Sequence, residues 1–237
     1  MKVLIDIGNS SVKLSSIDNG GIGVINCCDT NNLIYEIKRL YGTDISIVLS
    51  SVRQLEENLI TQLKEISKSF IQISAASLLP IQLNYKTPHT LGADRIAAAV
   101  GANTLFPDKD CIIFDFGTAI TIDFVTKNGI FNGGNISLGL DMRFRALNEF
   151  TSKLPLLQAP DLISNIGNST NEAIASGVVL GIMFEVQSYI AKYPDNVIIF
   201  TGGDAFYFAE KMKKPIFVIL NLILIGMSVI SDIKDNE

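Results

Sequence analysis

The segment Val3-Leu4-Ile5-Asp6-Ile7-Gly8-Asn9-Ser10 is matched 109 positions later by Ile112-Ile113-Phe114-Asp115-Phe116-Gly117-Thr118-Ala119. Each copy is an apolar run that ends in aspartate, one apolar residue, glycine and a small residue. The second copy begins near the midpoint of the 237-residue chain, so one structural unit is predicted to occur twice. A strand that ends in Asp-x-Gly and turns back brings backbone N–H groups and a carboxylate to one point. That arrangement suits a nucleotide phosphate with its bound cation.

The two aspartates, Asp6 and Asp115, each end an apolar strand, where an unpaired carboxylate is costly. A single copy is most simply explained as a turn residue that bonds its own backbone. Two copies in matched positions favour a pair of phosphate-binding turns instead. Lys13 follows the first turn and is expected on the returning strand, where its ammonium can reach the β- and γ-phosphates. An ordinary exposed strand lysine is the alternative interpretation of that residue.

Composition narrows the class of protein. Apolar residues make up 48% of the chain, charged residues 18%, and the net charge is −5 without a basic stripe, so a nucleic-acid partner is not expected. Three cysteines without framework spacing indicate a reducing compartment. No secretory signal is predicted, and the apolar run 216–230 is too short and too polar to span a bilayer. A soluble cytoplasmic protein without a membrane partner is therefore expected.

The pattern of elements predicts a duplicated α/β architecture with halves 1–106 and 107–237. Each half begins with strands and continues with alternating helices and strands. The predicted helices lie near 32–41, 55–70, 94–105, 140–154 and 171–193, with two more after 203 and 220. The predicted strands lie within 2–25, 45–50, 71–74, 110–131, 197–200 and 216–220, with a turn at Asn19-Gly20-Gly21.

Asp94 is the carboxylate with the most promising position, in Leu91-Gly92-Ala93-Asp94-Arg95 before an alanine-rich helix. One interpretation is a helix N-cap, for which aspartate is among the best residues. The other is a weak general base, kept ionised by the helix N-terminus. Phosphoryl transfer tolerates a weak base because it asks mainly for a positioned acceptor hydroxyl. Arg95 beside it would bind an anionic substrate or pair with a surface carboxylate.

Two further patterns lie in the second half. Ser169 and Glu172 fit a capping box, which places Thr170 in the first helical turn with a hydroxyl that can face a ligand. An apolar stripe indicates core packing first and a dimer seam second; its members are Leu140, Phe144, Leu147, Phe150 and Leu154. No Walker A motif and no G-x-G-x-x-G follows any strand, so the commonest nucleotide folds are not supported.

Taken in order, these motifs resemble those of the type III pantothenate kinases, which belong to the acetate and sugar kinase, Hsp70 and actin superfamily. The resemblance covers essentially the whole chain and rests on segments 6–13, 92–95, 115–119 and 169–170, and on Thr201-Gly202-Gly203, which is similar to the superfamily's adenosine turn. It implies an α/β fold of duplicated ribonuclease H-like (actin-like ATPase) domains with mixed sheets flanked by helices. It also implies a homodimer that phosphorylates pantothenate with ATP, giving 4′-phosphopantothenate in the first step of coenzyme A synthesis.

The resemblance also implies roles for individual residues. ATP would bind at Thr118 and along the first turn, at Asp6, Ile7, Gly8, Asn9, Ser10, Ser11, Val12 and Lys13. Pantothenate would be bound by Tyr85, Gly92, Ala93, Asp94, Arg95 and Thr170, with Asp94 as the catalytic base. Asp6 would hold Mg²⁺, directly or through water, and Asp115 would hold a monovalent cation, K⁺ or NH₄⁺.

Two positions depart from the family pattern. Ser10 stands where threonine is usual and keeps the hydroxyl, and Leu138 replaces an expected proline. Neither change removes a catalytic group. Two other hypotheses share the fold: another phosphotransferase or phosphohydrolase acting through water, and a non-catalytic nucleotide-binding regulatory protein.

Overall fold

The computed structural model describes residues 1–18, 21–212 and 214–235, so positions 19 and 20 of the predicted turn lie outside the described residues. The strands are β1 (Lys2–Ile7), β2 (Val12–Asp18), β3 (Gly21–Ile22), β4 (Asn26–Cys28), β5 (Ile45–Ser51), β6 (Ser67–Gln72), β7 (Gln82–Leu83), β8 (Cys111–Phe116), β9 (Ala119–Val125), β10 (Ile130–Leu138), β11 (Val197–Thr201) and β12 (Phe217–Val218). The helices are α1 (Leu33–Tyr41), α2 (Glu57–Glu65), α3 (Ala93–Leu105), α4 (Leu140–Glu149), α5 (Thr170–Lys192), α6 (Ala205–Ala209) and α7 (Leu222–Asp235).

The first sheet has the order β3-β2-β1-β5-β6, with β4 paired to β2. β1 is antiparallel to β2 and parallel to β5, and β5 is parallel to β6. The carboxyl ends of β1 and β5 therefore meet at one edge of the sheet. Chain turns at such an edge are where ligands bind in open α/β sheets.

The two faces of β1 are covered by different helices. Val3, Ile5 and Ile7 are fully buried in one cluster with Leu33 and Ile37 of α1. Helices α3 and α7 pack against each other; α7 contacts β1 and β5, and α3 contacts β5. Because side chains alternate between the faces of a strand, residues at even positions of β1 point to the side of α3 and α7. Asp6 is one of them.

Helices α3 and α7 approach closely because both carry glycine at the crossing. A Cβ on Gly226 would collide with the carbonyl oxygen of Ala97, and a Cβ on Gly101 would meet that of Leu222. The alanine- and glycine-rich helix α3 thus packs closely against α7.

The second sheet has the order β12-β11-β8-β9-β10-β7, with β8 parallel to β11 and β11 parallel to β12. Its centre is aromatic: the Phe116 ring lies 4.8 Å from that of Phe200 and 4.9 Å from that of Phe208, centroid to centroid. These contacts hold the carboxyl ends of β8 and β11 side by side. The second Asp-x-Gly turn starts at that edge.

The chain divides into two compact units that interleave along the sequence. One comprises residues 1–109, 124–133 and 221–237, and the other comprises 110–123 and 134–220. The predicted division into two actin-like halves, 1–106 and 107–237, stays a prediction. Below, each unit is described by itself.

Three predicted elements were wrong in extent. The helix expected over 55–70 ends at Glu65, and Phe70 belongs to β6. The helix expected over 140–154 ends at Glu149, so Phe150 is exposed while Phe144 is buried, and the five stripe residues do not form one continuous helical face. The expected buried strand near 216–220 is a two-residue edge strand with Phe217 half exposed. An apolar period does not by itself mark where a helix stops.

In the described part of the chain, one helix, α5, is long and apolar enough by length and composition to cross a membrane. About half of its most apolar stretch is buried inside the protein, at 44%. Core helices of globular proteins satisfy the same length and hydropathy test. The length and hydropathy of α5 are therefore only weak support for a membrane span.

Candidate active site

The first Asp-x-Gly turn joins β1 to β2 in a tight hairpin. The Gly8 amide donates to the carbonyl oxygen of Ser11 at 3.0 Å, and a Cβ on Gly8 would lie only 3.2 Å from that oxygen. Asn9, Ser10 and Ser11 are exposed on the outside of the turn. The predicted turn is present, and its polar side chains and backbone face solvent where a ligand can reach them.

A polar row crosses three neighbouring strands of the first sheet beside this turn. Lys13 is the antiparallel partner of Asp6, and Ser50 is its parallel partner on the other side. The Ser50 hydroxyl donates to Oδ1 of Asp6 at 3.0 Å. The row places a carboxylate between a cation and a hydroxyl at the carboxyl edge of the sheet.

Burial raises the pKa of Asp6 to about 6, from an ordinary value of 3.8. Lys13 and the hydrogen bond from Ser50 oppose this shift, and the negative charge of Asp94 adds to it. Asp6 is only 6% exposed, so its charge is poorly solvated. A cation bound at this carboxylate would offset the cost of burial and favour the ionised form.

Asp94 lies in the first turn of α3 and is not its N-cap, which is Gly92. Its Oδ1 accepts the backbone N–H of Arg95 at 2.8 Å. A Cβ on Gly92 would collide with that same oxygen, so glycine makes room for the carboxylate. The N-cap interpretation was therefore wrong, because the helix starts two residues earlier than an aspartate cap requires.

Burial raises the pKa of Asp94, against the opposing effects of the Arg95 amide and the Arg95 charge. The backbone N–H groups at the start of the helix lower this pKa, as the sequence led us to expect, but the loss of solvation has the larger effect. A carboxylate with a raised pKa is a better proton acceptor. This change strengthens Asp94 as a candidate general base.

Arg95 is buried next to two aromatic rings, with its guanidinium carbon 5.9 Å from the ring of Tyr85 and 5.8 Å from that of Phe131. Tyr85 rests on Gly133, whose φ of +78° is a left-handed conformation that favours glycine. The expected grouping of Tyr85 with the 92–95 segment is thus seen in the structure. Arg95 is held at the start of α3 by packing as well as by charge.

In the second unit, Asp115 lies against the turn that follows β11. A Cβ on Gly202 would collide with Oδ1 of Asp115, and Gly202 has φ of +90°. The Asp204 amide donates to the carbonyl of Phe116 at 3.2 Å. The two motifs that the sequence places 86 residues apart, at 115 and 201, therefore form one local structure.

Thr118 lies in the same turn, and its carbonyl accepts the amide of Gly139 at 3.0 Å. A Cβ on Gly139 would collide with the carbonyls of Gly117 and Thr118, so only glycine permits this approach. Leu138, which replaces the expected proline, is the last residue of β10, and its carbonyl accepts Nε of Arg143 at 2.9 Å. The substitution leaves a regular strand end.

Thr170 is the first residue of α5 and is exposed. Ser169 caps the helix by accepting the amide of Glu172 at 3.3 Å, as predicted. The Glu172 carboxylate in turn accepts a hydrogen bond from the amide of Asn168, one residue before the cap, at 3.1 Å. The caps account for Ser169 and Glu172 and leave the Thr170 hydroxyl at the surface.

Within residues 1–18, 21–212 and 214–235, no three His, Cys, Asp or Glu side chains converge as a ready-made metal site. Mg²⁺ is commonly held by one or two carboxylates together with substrate phosphates and water. Asp6 fits that role because it is a buried carboxylate with a raised pKa beside an exposed glycine turn. Oδ1 of Asp115 and the carbonyl oxygen of Phe116 both lie next to Gly202, and oxygen atoms of this kind suit a hard cation.

Sequence reasoning missed Ser50 and Phe131. Ser50 is a polar residue near the end of a predicted buried strand, which was a usable signal for the sheet edge. No sequence pattern marks Phe131 as a site residue, since its contact with Arg95 depends on how the start of β10 packs against the start of α3. Lys13, in contrast, follows from the hairpin period and was predicted.

A family model described as type III pantothenate kinase matches residues 2–192. A type III pantothenate kinase of Cytophaga hutchinsonii is 39% identical to this chain, over 96% of this chain and 97% of its own. A crystal structure from Campylobacter jejuni, described as a conserved Baf family transcriptional activator, has a TM-score of 0.70 at 25% identity and covers 99% of this chain and 100% of its own.

The activator of the 2-hydroxyisocaproyl-CoA dehydratase from Clostridium difficile, with ADPNP bound, has a TM-score of 0.56 at 15% identity, covering 99% of this chain and 96% of its own. At this identity the likeness shows the fold alone. With the two mixed sheets and their helices, it confirms the predicted α/β fold of the actin-like ATPase and sugar kinase type. On the family match and the full-length relative, the chain belongs to the type III pantothenate kinase family.

Proposed function

We propose that Asp94 acts as the base when this phosphotransferase of coenzyme A synthesis transfers the γ-phosphoryl group of ATP to the hydroxyl of pantothenate. The family supplies the reaction, and the roles of individual residues are our proposal. The single observation that carries the proposal is that the negative charge of Asp94 raises the pKa of Asp6, which means that the two carboxylates lie near each other. The row of Asp6, Lys13 and Ser50 lies on the face of the first sheet where the charge of Asp94 is felt at Asp6.

The nucleotide phosphates would lie on the first turn, residues 6–13. Lys13 offers a point charge to the phosphate oxygens, and the exposed turn offers N–H groups and hydroxyls. Asp6 would hold Mg²⁺ directly or through water. The metal ion would neutralise charge on the phosphates, and Ser50 keeps the Asp6 carboxylate in place for it.

The proton transfer would proceed through Asp94. Its carboxylate accepts the proton of the pantothenate hydroxyl as that oxygen forms a bond to the γ-phosphorus. The bond from the γ-phosphorus to the bridging oxygen breaks, and ADP leaves with the bonding electrons. The raised pKa of Asp94 lets it take the proton more readily than a solvated carboxylate would.

The pantothenate site would include Tyr85 and the segment 92–95. Thr170, which belongs to the second unit, is further proposed to touch pantothenate in its own subunit or in the neighbouring one. The burial of Arg95 beside the paired Tyr85 and Phe131 rings would fix the first turn of α3, and therefore the direction of the Asp94 carboxylate. Positioning of the acceptor supplies much of the catalysis in phosphoryl transfer. In the second unit, Thr118 would contact ATP and Asp115 would hold K⁺ or NH₄⁺.

The protein is further proposed to be a cytoplasmic homodimer. The second unit exposes several large apolar side chains, which a partner copy would cover; these are Phe150, Leu162, Ile166 and Phe184. All three cysteines are thiols, which suits a reducing compartment. Light scattering of the purified chain measures the oligomeric state directly.

The test is an assay of the purified full chain with ATP, Mg²⁺ and K⁺, in which ADP and 4′-phosphopantothenate are both quantified. We expect one phosphorylated product per ADP, no ADP without pantothenate, and a lower rate when Na⁺ replaces K⁺. ATP hydrolysis that ignores pantothenate would favour a phosphohydrolase. Absence of ATP binding by calorimetry would favour a non-catalytic role.

A further inference from the structure

A polar pocket of about 500 Å³ lies at the carboxyl edge of the first sheet. Three chain segments form it: the exposed turn residues Asn9–Ser11, the stretch Asp29–Asn32 that follows β4, and Arg53 just beyond β5. The volume is in the range of small-ligand sites. Neither the family motifs nor the proposed catalytic roles use the second and third of these segments.

The three segments meet because of strand register. Val12 at the start of β2 pairs with Cys28 at the end of β4, which brings Asp29 beside the turn. On the other side, the Val52 amide donates to the carbonyl of Ile7 at 3.1 Å, which brings Arg53 beside the same turn. The strand pairings of the first sheet therefore bring the three segments of the pocket together.

Arg53 is the cation of this pocket. Its guanidinium donates to Oγ1 of Thr30 at 2.7 Å, and this neutral hydroxyl is its only side-chain partner in the described chain. A guanidinium has five N–H donors, so most remain available while the bond to Thr30 holds the group in position. The planar donor fork matches two oxygens of a phosphoryl group.

The rest of the lining suits the same ligand. The hydroxyls of Ser11 and Thr30 can donate to phosphate oxygens, and Asp29 offers a hard oxygen ligand to an accompanying divalent cation. One wall is the turn that is proposed to hold the phosphates of ATP. A group bound in the pocket is thus continuous with the nucleotide.

We propose that this pocket binds a phosphoryl group through Arg53, and that the group is the terminal phosphate of the nucleoside triphosphate. Arg53 then distinguishes triphosphate from diphosphate at the first turn. This inference rests on the proposed function for its choice of nucleotide over other phosphorylated molecules.

The experiment compares Arg53→Gln and Arg53→Lys with wild type, using calorimetry with AMPPNP, ADP and 4′-phosphopantothenate in the presence of Mg²⁺. The matched control is Arg39→Gln, which removes an exposed arginine of α1 that pairs with Glu36 at 2.6 Å. Arg53 is exposed, so thermal melting is expected to show a folded protein for every variant.

For Arg53→Gln we expect AMPPNP to bind about tenfold more weakly, ADP to change less than about twofold, and the loss to shrink at high salt. Arg53→Lys keeps the positive charge but lacks the planar pair of donors. Its affinity for AMPPNP is expected to lie between those of wild type and Arg53→Gln. The control is expected to match wild type for all three ligands.

Equal weakening of AMPPNP and ADP, or no weakening of either, overturns the proposal. A loss confined to 4′-phosphopantothenate also overturns it, because the phosphoryl group would then belong to the product. The comparison uses binding alone, so it is decided even if pantothenate-dependent ADP formation fails and the proposed function with it.

Discussion

Ser50 donates a hydrogen bond to Oδ1 of Asp6 at 3.0 Å, across 44 residues of sequence and between two parallel strands. The bond lowers the pKa of a carboxylate that burial raises to about 6. It therefore helps to keep the proposed metal-binding residue ionised at neutral pH. The effect of this hydrogen bond on the pKa of Asp6 can be measured by replacing Ser50, because Ser50 has no other role in the proposed reaction.

Replacing Ser50 with alanine is expected to raise the pKa of Asp6 further. Activity then requires a higher pH, and the acid limb of kcat/KM moves upward. At pH 6 we expect a loss of about fivefold, corresponding to one hydrogen bond, and little loss at pH 8.5. Ser46→Ala on the same strand is the control. A uniform loss at all pH values would show that Ser50 acts on something other than ionisation.

Replacing Asp6 with asparagine is expected to stabilise the fold while abolishing activity. The folded protein binds the Asp6 proton more tightly than the unfolded chain, with a pKa of about 6 against 3.8. The stability from this group is therefore complete below pH 3.8 and is lost as the pH rises through about 6. At pH 8 the cost of ionising wild-type Asp6 is at most about 3 kcal/mol.

Urea unfolding at pH 4 and pH 8 tests this expectation. The asparagine variant should exceed wild type by about 1–3 kcal/mol at pH 8 and differ little at pH 4, where wild-type Asp6 is protonated. An equal difference at both pH values would mean that the pKa of Asp6 is not raised in the folded protein.

Gly202→Ala tests the local structure formed by Asp115 and the turn after β11. The new Cβ would collide with the Asp115 carboxylate, and alanine at φ of +90° is strained. We expect a loss of about 1–3 kcal/mol in unfolding free energy and loss of K⁺ activation. The measurement is initial rate against K⁺ concentration. Gly203→Ala is the matched control, because a Cβ there meets nothing within 4 Å.

If Gly202→Ala responded to K⁺ as wild type does, the cation would not be bound at Asp115. If Gly203→Ala lost K⁺ activation to the same extent, the loss would come from disturbance of the whole turn and not from the contact between residue 202 and Asp115. Neither outcome would bear on the first turn, which lies in the other unit.

Local chemistry made much of the site predictable. The Asp-x-Gly turns, the return of Lys13 opposite Asp6 and the cap at Ser169 depend on residues within a few positions of each other. The predicted start of the alanine-rich helix, at residue 94, lies one residue from the observed start of α3 at Ala93. These features follow from turn preferences and strand alternation, which act on short segments.

What could not be predicted depends on register and packing between distant segments. The Ser50 bond needs the parallel pairing of β1 with β5, and the raised pKa of Asp94 needs knowledge of its burial. Phe70 continued a helical period yet lies in β6, because a short apolar pattern fits both kinds of element.

The measurement that tests the central claim most directly is single-turnover transfer from labelled ATP to pantothenate by Asp94→Asn. We expect the rate of 4′-phosphopantothenate formation to fall by about 10²-fold or more, with AMPPNP affinity unchanged. Asp108→Asn, in a loop where φ of 59° suits asparagine, should match wild type. A rate for Asp94→Asn within about threefold of wild type, with K⁺ present, would contradict the assignment of Asp94 as the base.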